Sequence, residues 1–473
     1  MLLKVKTNYG YVEGCIVNDS CTLFKGIPYA APPIGERRFR EPIPPTPWEG
    51  VRECDTWGNA CPQSFHHTPD SPYGIEFYTD CEYPPQMNED CLYLNIWTPA
   101  SASDDKLPVM MWIHGGGVQD GYGHEMEFDG EALTRRGVIL ITINYRLNIF
   151  GFFCHPELTA ESPHHACGNY GIMDQIQALH WIKENINAFG GDPENIMVFG
   201  QSGGGRSTQA LSCSPLTKGL IQHAAIHSAG GVLTGFGRLY RKQLEERGVH
   251  FCQMNHISSL SELRTLPWQE LRQMFMNYHN EAGMHGGFNI CADGYVLPLT
   301  LEDSVLTGVQ HDIDYIIGCT IDEILHNFGD SKVNMAASQR AWGRCQYMQG
   351  KKPAYMFCFD RPLPGIRENA FINTAFHSAE LWYVFGTLKR CWRPFSKEDY
   401  QLSELMMDYW TNFAKTGNPN SEKLPNWEPF TEPAKEMLDF SIDGTKMKAF
   451  DLDGMMVEME DFLMSVTDST PLL

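Results

Sequence analysis

The chain has 473 residues, with 36 Lys and Arg against 58 Asp and Glu, a formal net charge of −22. That balance excludes wrapping nucleic acid or an anionic membrane, because both need a cationic face. A hydrophobic content of 42% with 12% aromatics excludes disorder, and a chain this long folds without disulfide staples. The cysteines number 15, so complete pairing is impossible, and none form a Cys-x-x-Cys pair. The segment Met1–Gly14 lacks the apolar core of a secretory signal. The run Val138–Ile143 is far short of the roughly 20 residues that span a bilayer. A cytoplasmic chain with reduced thiols and no membrane span is the expectation. No metal and no cofactor are expected: His66-His67 and His164-His165 have no ligand set at zinc spacing, and no His-Glu-x-x-His occurs.

The opening hundred residues are proline-rich (Pro28, Pro32, Pro33, Pro42, Pro44, Pro45, Pro47) and read as loops. From Leu107 onward, short apolar runs alternate with helical patterns. Val109–Ile113, Val138–Ile143, Ile196–Phe199, Ala224–His227, Ile313–Ile317 and Tyr355–Phe359 are predicted strands. They lack apolar/polar alternation, which marks a parallel sheet covered on both faces. Between the second and third runs, Ile176, Leu179, Ile182, Ile186 and Phe189 recur at steps of three and four, giving one apolar helix face. Gly190-Gly191-Asp192-Pro193 stops that helix. The repeated strand–helix order predicts a doubly wound α/β core, a mostly parallel twisted sheet with helices on both faces. The charged, helical stretch Arg238–Tyr278 is expected to cap it.

Four sequence features carry chemistry. His114-Gly115-Gly116-Gly117 ends the first predicted strand. Consecutive glycines leave backbone N–H groups unobstructed, and such donors stabilise an oxyanion by roughly 3 kcal/mol each. Gly116 and Gly117 are the candidate donors, with Gly203. A plain tight turn or a phosphate loop competes, but no Lys or Ser/Thr follows at P-loop spacing. His285-Gly286-Gly287 follows no strand. Gly200-Gln201-Ser202-Gly203-Gly204 directly follows the run Ile196–Phe199. A Gly-x-Ser-x-Gly in that position forms a nucleophile elbow, which lifts the serine oxygen above the sheet edge. The competing explanation is a Gly-rich loop with a bystander serine. Ser228 lacks the first glycine. After Ile313–Ile317 come Asp322 and Glu323, equal candidates for an orienting acid. After Tyr355–Phe359 comes His377, a candidate base; His326 competes, but it shares a short loop with Glu323.

These residues make the chain resemble the type-B carboxylesterase and cholinesterase family of α/β-hydrolases. Phe24–Ala30, Arg38-Phe39, Glu89–Trp97, Asn144-Tyr145-Arg146, Gly168–Gly171, Asp174-Gln175, Phe189–Pro193 and Trp410–Asn420 match its blocks in register. The resemblance implies an α/β-hydrolase fold in one domain over 1–473, with cap segments within about 232–300 and 325–350. It implies Ser202 as nucleophile, Glu323 as acid, His377 as base, and Gly116, Gly117 and Gly203 as oxyanion donors. It also implies a structural ion pair of Arg38 with Glu89 and a disulfide between Cys61 and Cys91, which a reducing compartment leaves often open. Gln201 stands where the family usually has Glu, and Gly203 where it has Ala. No tryptophan lies between Cys61 and Cys91, so a quaternary ammonium finds no cation–π partner there. The interval from Glu323 to His377 is shorter than the family shows and implies a trimmed lid. Gln201 and Val118 are expected to contact substrate, with pocket walls from Val118–Gly130 and Gly283–Phe288. The expected activity is hydrolysis of small to medium carboxylic esters through an acyl-enzyme, by a monomer or small homo-oligomer. An amidase or thioesterase with the same residues, or a non-catalytic binding protein on the same scaffold, is the alternative.

Overall fold

Burial on both faces shapes the central sheet. The computed structural model describes residues 1–450 apart from 19, 65–70, 80–85, 234–236, 284–286, 324–325, 329–330, 334, 367–369 and 433. The main sheet holds β1 (Cys15–Asn18), β2 (Cys21–Pro28), β3 (Tyr93–Thr98), β4 (Leu107–Ile113), β5 (Ile139–Ile143), β6 (Gly191–Gln201), β7 (His223–His227), β8 (Asp314–Thr320), β9 (Tyr355–Asp360), β10 (Glu436–Ser441) and β11 (Gly444–Ala449). Their spatial order is β11-β10-β9-β8-β7-β6-β4-β5-β3-β2-β1. Strands β4 to β10 run parallel, while β1, β2, β3 and β11 are antiparallel additions at the edges.

Alternate residues of one strand enter different cores. On β4, Val109, Met111 and Ile113 join one cluster, and Met110 and Trp112 the other. Both sets are buried, which is why the run lacks polar alternation. Each such aliphatic side chain contributes about 1.5–3 kcal/mol by leaving water. The first cluster is covered by α1 (Tyr170–Asn185), whose stripe Ile176, Leu179 and Ile182 continues through a 3₁₀ turn, Ile186–Phe189. Gly190, at φ 81°, ends it. The second cluster is covered by Met406, Trp410 and Phe413 of a long helix, Lys397–Thr416.

The expected strands are present with adjusted ends. The run at Ile196 is the centre of a longer strand, and the run at Ile313 begins one residue later. The opening hundred residues are not all loop, for β1, β2 and β3 lie there. The signal of β2 is broken by Lys25-Gly26, where the pairing with β3 shifts register. Strand β11 is exposed or half-buried throughout, so burial imposes no apolar pattern on it. Where the cap is expected lie α2 (Gly203–Cys213), just before it, and then α3 (Arg241–Met254), Leu260–Thr265 and α4 (Trp268–Ala282). Phe251 of α3 packs on Phe153 at 5.9 Å, and Phe288 packs on the same ring at 5.0 Å. The His66-His67 pair, His285 and parts of the segment 325–350 lie outside the described residues. So does the His326 side chain, although His326–Phe328 forms a short strand.

Three buried ion pairs lock loops to this core. Arg38 donates from Nε and Nη2 to the two Glu89 carboxylate oxygens, at 2.6 and 2.5 Å, the pair the resemblance implies. Arg146 holds Asp174 at 2.8 and 2.7 Å. Arg393 and Glu76 are both 0% exposed at 2.8 Å, and Trp382 and Trp392 donate to the same carboxylate. Cys61 and Cys91 are buried side by side as free thiols. Burial, and then the Cys61 contact, raise the Cys91 thiol well above its ordinary range. Among the described residues, no helix is long and apolar enough to cross a membrane.

Removing one member of a fully buried pair strands the other charge. Arg393→Met is expected to cost about 3–5 kcal/mol of unfolding free energy, read from urea denaturation. Adding Glu76→Gln to it is expected to restore part of that loss.

Candidate active site

The ends of β4 and β6 leave the sheet side by side, because Ile113 pairs with Gly200. Beyond β6 the chain turns abruptly into α2. Ser202 carries the turn at φ 55° and ψ −121°, a left-handed conformation that costs a side-chain-bearing residue about 1–3 kcal/mol. The flanking glycines are steric requirements. A Cβ at Gly200 would lie 2.4 Å from the Gly204 carbonyl oxygen, and one at Gly204 would lie 1.9 Å from that of Ile113. The Ser202 N–H donates to the His227 carbonyl at 3.0 Å, and the Ser202 carbonyl accepts from Arg206 N–H at 3.0 Å. The Gly-x-Ser-x-Gly pattern therefore marks a tight strand-to-helix turn rather than a flexible loop.

The triglycine loop folds directly onto this turn. Gly116 and Gly117 have φ values of 89° and 64°. A Cβ at Gly203 would lie 2.7 Å from both Gly117 N and Val118 N, so Gly117 and Gly203 are brought together. Among the described residues, the N–H groups of Gly116, Gly117 and Gly203 donate to nothing. Beneath the loop, Tyr145 donates to the His114 carbonyl at 3.1 Å. Burial pulls His114 down to about 4, so its ring is neutral. Burial, and then the Glu125 charge, push Asp120 up to about 8.

Glu323 and His377 arrive from the ends of β8 and from the segment after β9. His377 Nδ1 lies 2.6 Å from Glu323 Oε2, while Asp322 accepts from Ala375 N–H at 3.0 Å and faces solvent. Glu323, not Asp322, therefore meets the imidazole. Thr320 donates its hydroxyl to Glu323 at 2.9 Å. Burial raises the Glu323 carboxyl, but the His377 charge and the hydrogen bonds from His377 and Thr320 outweigh it and leave it lowered. Burial pulls His377 down, but Glu323, by charge and hydrogen bond, and the charge of Glu380 leave it raised. With Nδ1–H committed to a carboxylate, Nε2 carries the lone pair.

Both residues expected to contact substrate are buried. Gln201 is buried, and its side-chain nitrogen lies 3.2 Å from His377 Nε2, so this side chain is held by the imidazole. Among the described residues, no hydrogen bond joins Ser202 Oγ to His377. The Val118 side chain is fully buried in the first core cluster and presents no surface to a substrate; only its N–H faces the elbow. The two expected wall segments do meet, for Gln119 Nε2 donates to the Phe288 carbonyl at 2.9 Å.

Sequence reasoning missed Glu380, His227 and Tyr73. Glu380 is fully buried, with one oxygen 3.4 Å from His227 Nδ1. His227 Nε2 accepts from Trp410 at 2.9 Å. Tyr73 donates to the His377 carbonyl at 3.1 Å. Glu380 follows His377 by three residues, a visible spacing, but nothing in the sequence says that either is buried.

The carboxylesterase family profile matches residues 2–346 and 327–454 of this chain. The chain is 33% identical to the para-nitrobenzyl esterase of Bacillus subtilis (strain 168), over 92% of this chain and 94% of that protein. It is 32% identical to the medium-chain fatty acyl-CoA hydrolase precursor of Anas platyrhynchos, over 90% and 86%. A solved thermophilic PNB esterase superposes with a TM-score of 0.82 at 30% identity, over 98% of this chain and 100% of that one.

The close contact at Gly203 has a measurable consequence. Gly203→Ala is expected to push Gly117 and Val118 away from the elbow and lower kcat for ester hydrolysis by roughly tenfold or more, with the melting temperature little changed. An unaltered kcat in steady-state assays would show that the loop has room to spare.

Proposed function

The chain belongs to the carboxylesterase family and is a carboxylic-ester hydrolase, and on that premise we propose that Ser202, His377 and Glu323 carry the reaction. One contact supports this reading above all: His377 Nδ1 rests 2.6 Å from Glu323, at the strand ends that also present the strained Ser202 turn. In the first half, Ser202 Oγ attacks the ester carbonyl carbon as His377 Nε2 takes its proton. Glu323 keeps the ring in the Nδ1–H tautomer and stabilises the imidazolium. The carbonyl oxygen becomes an oxyanion within reach of the Gly116, Gly117 and Gly203 N–H groups, which have no competing acceptors among the described residues. The tetrahedral intermediate collapses, and His377 protonates the departing alcohol. In the second half, water repeats the sequence on the acyl-enzyme and releases the acid. The residues supply nucleophile, base and oxyanion donors without a cofactor.

The substrates are small to medium esters. Gln201 puts a neutral amide where a carboxylate would favour a cationic alcohol. Cys61 and Cys91, buried side by side, stand as thiols, in keeping with a reducing, cytoplasmic setting. The protein acts as a monomer or small homo-oligomer.

Ser202→Ala is expected to abolish turnover of aryl esters and labelling by a fluorophosphonate probe, with an unchanged melting temperature. Retained turnover would defeat the assignment. His377 must be neutral to accept a proton, and its environment raises it above the ordinary 6.5. Activity is therefore lost as pH falls through that raised value, so the acid limb of kcat/KM is expected to lie above about pH 6.5. A profile flat from about pH 5 to 8 would rule out a histidine base.

A further inference from the structure

The residue before the nucleophile is bonded to the base. Gln201 Nε2 lies 3.2 Å from His377 Nε2, and both side chains are buried, Gln201 at 2% and His377 at 6% exposure. The chemistry settles which amide atom faces the ring. Glu323, bonded at Nδ1, leaves Nε2 with a lone pair that needs a donor, so the Gln201 nitrogen points to it. The amide oxygen lies on the opposite side, 3.1 Å from where a Gly115 Cβ would stand. Gln201 is the last residue of β6, and its backbone is fixed by pairing with His227, so the amide reaches the ring from a rigid strand. The lone pair that the reaction needs is therefore occupied, and Ser202 Oγ has no bond to it among the described residues.

We propose that Gln201 is a positioning residue: its amide N–H holds His377 Nε2 in the resting enzyme, and arrival of an ester displaces it so that Ser202 takes its place. This rests on the reading of Ser202 and His377 given above. The hydrogen bond has two effects. It fixes the imidazole plane from the side opposite Glu323, so the ring is gripped at both nitrogens. It also exists only while Nε2 is unprotonated, because an imidazolium N–H and an amide N–H repel. Gln201 thus favours the neutral base, against Glu323 and Glu380, which both favour the cation. Among the described residues, the Tyr73 hydroxyl also faces His377, on its carbonyl oxygen, and burial keeps Tyr73 neutral. A carboxylate in place of the amide accepts but cannot donate, so it reverses the second effect and abolishes the first.

Two variants and two readouts test this. Gln201→Met keeps the length and removes the donor. Gln201→Glu keeps the shape and adds a charge. The acid limb of kcat/KM is expected to move to higher pH by about 0.5–1 unit in Gln201→Met, the worth of one lost hydrogen bond. In Gln201→Glu it is expected to move further. The same order is expected when His377 is titrated by ¹⁵N NMR in proteins that also carry Ser202→Ala, where no turnover is needed. A purely structural role for Gln201 would change melting temperature and kcat but leave both titrations in place. Titrations of both variants within about 0.2 unit of the parent, or shifted to lower pH, would overturn the proposal. That outcome is distinct from turnover surviving Ser202→Ala, which would overturn the assignment of the nucleophile instead.

Discussion

Two strand ends in van der Waals contact hold the site together. Gly204 comes so near the Ile113 carbonyl that a Cβ there would lie 1.9 Å away. Because β4 and β6 are hydrogen-bonded neighbours, the triglycine loop and the elbow must leave the sheet together, backbone against backbone. The strained Ser202 conformation follows from that approach, and so does the absence of any side chain at Gly203. The strain is repaid by the Ser202 N–H bond to His227 and by α2 starting at once. A scaffold with less burial behind it would relax the turn. Here both faces of β4 and β6 are packed with Ile, Met, Trp and Phe.

Charge is the second constraint. Glu323 and Glu380 are buried close to one imidazole, and burial of carboxylates is costly unless partners compensate. Glu323 is compensated by His377 and by the Thr320 hydroxyl. Glu380 lies 3.4 Å from His227 Nδ1, and the other nitrogen of that ring accepts from Trp410. A third carboxylate at position 201 would have to be compensated as well; the amide avoids that and supplies a donor instead. The site thus holds an imidazole between an anion on one nitrogen and a neutral amide on the other.

The sheet's interior strands were legible because parallel strands bury both faces, and this leaves apolar runs such as Val109–Ile113 and Ala224–His227. The stripe from Ile176 to Phe189 was legible for the same reason. The edges were not. Strand β2 is interrupted at Lys25-Gly26, and β11 has no buried face, so neither carries a periodic apolar signal. Among site residues, Ser202 and the glycines around it were readable from their local turn chemistry. Asp322 and Glu323 were indistinguishable by periodicity, because they are adjacent on one loop and only the direction of each side chain separates them.

The order of chemical groups along the chain is a property of the sequence by itself: a glycine loop after one strand, a serine elbow after another, then an acid and a histidine. Local sterics suffice for these, since a tight turn needs glycine wherever it occurs. Partnership between distant groups was decided only by tertiary structure. Glu323 and His377 are 54 residues apart, and Gln201 and His377 are 176 apart. Their contacts depend on which strand ends adjoin and on how deeply each loop is buried. Composition read as a whole excluded nucleic acid, but it said nothing about the charge of the site. That charge is set by a few buried side chains whose solvation, not their number, determines what they do.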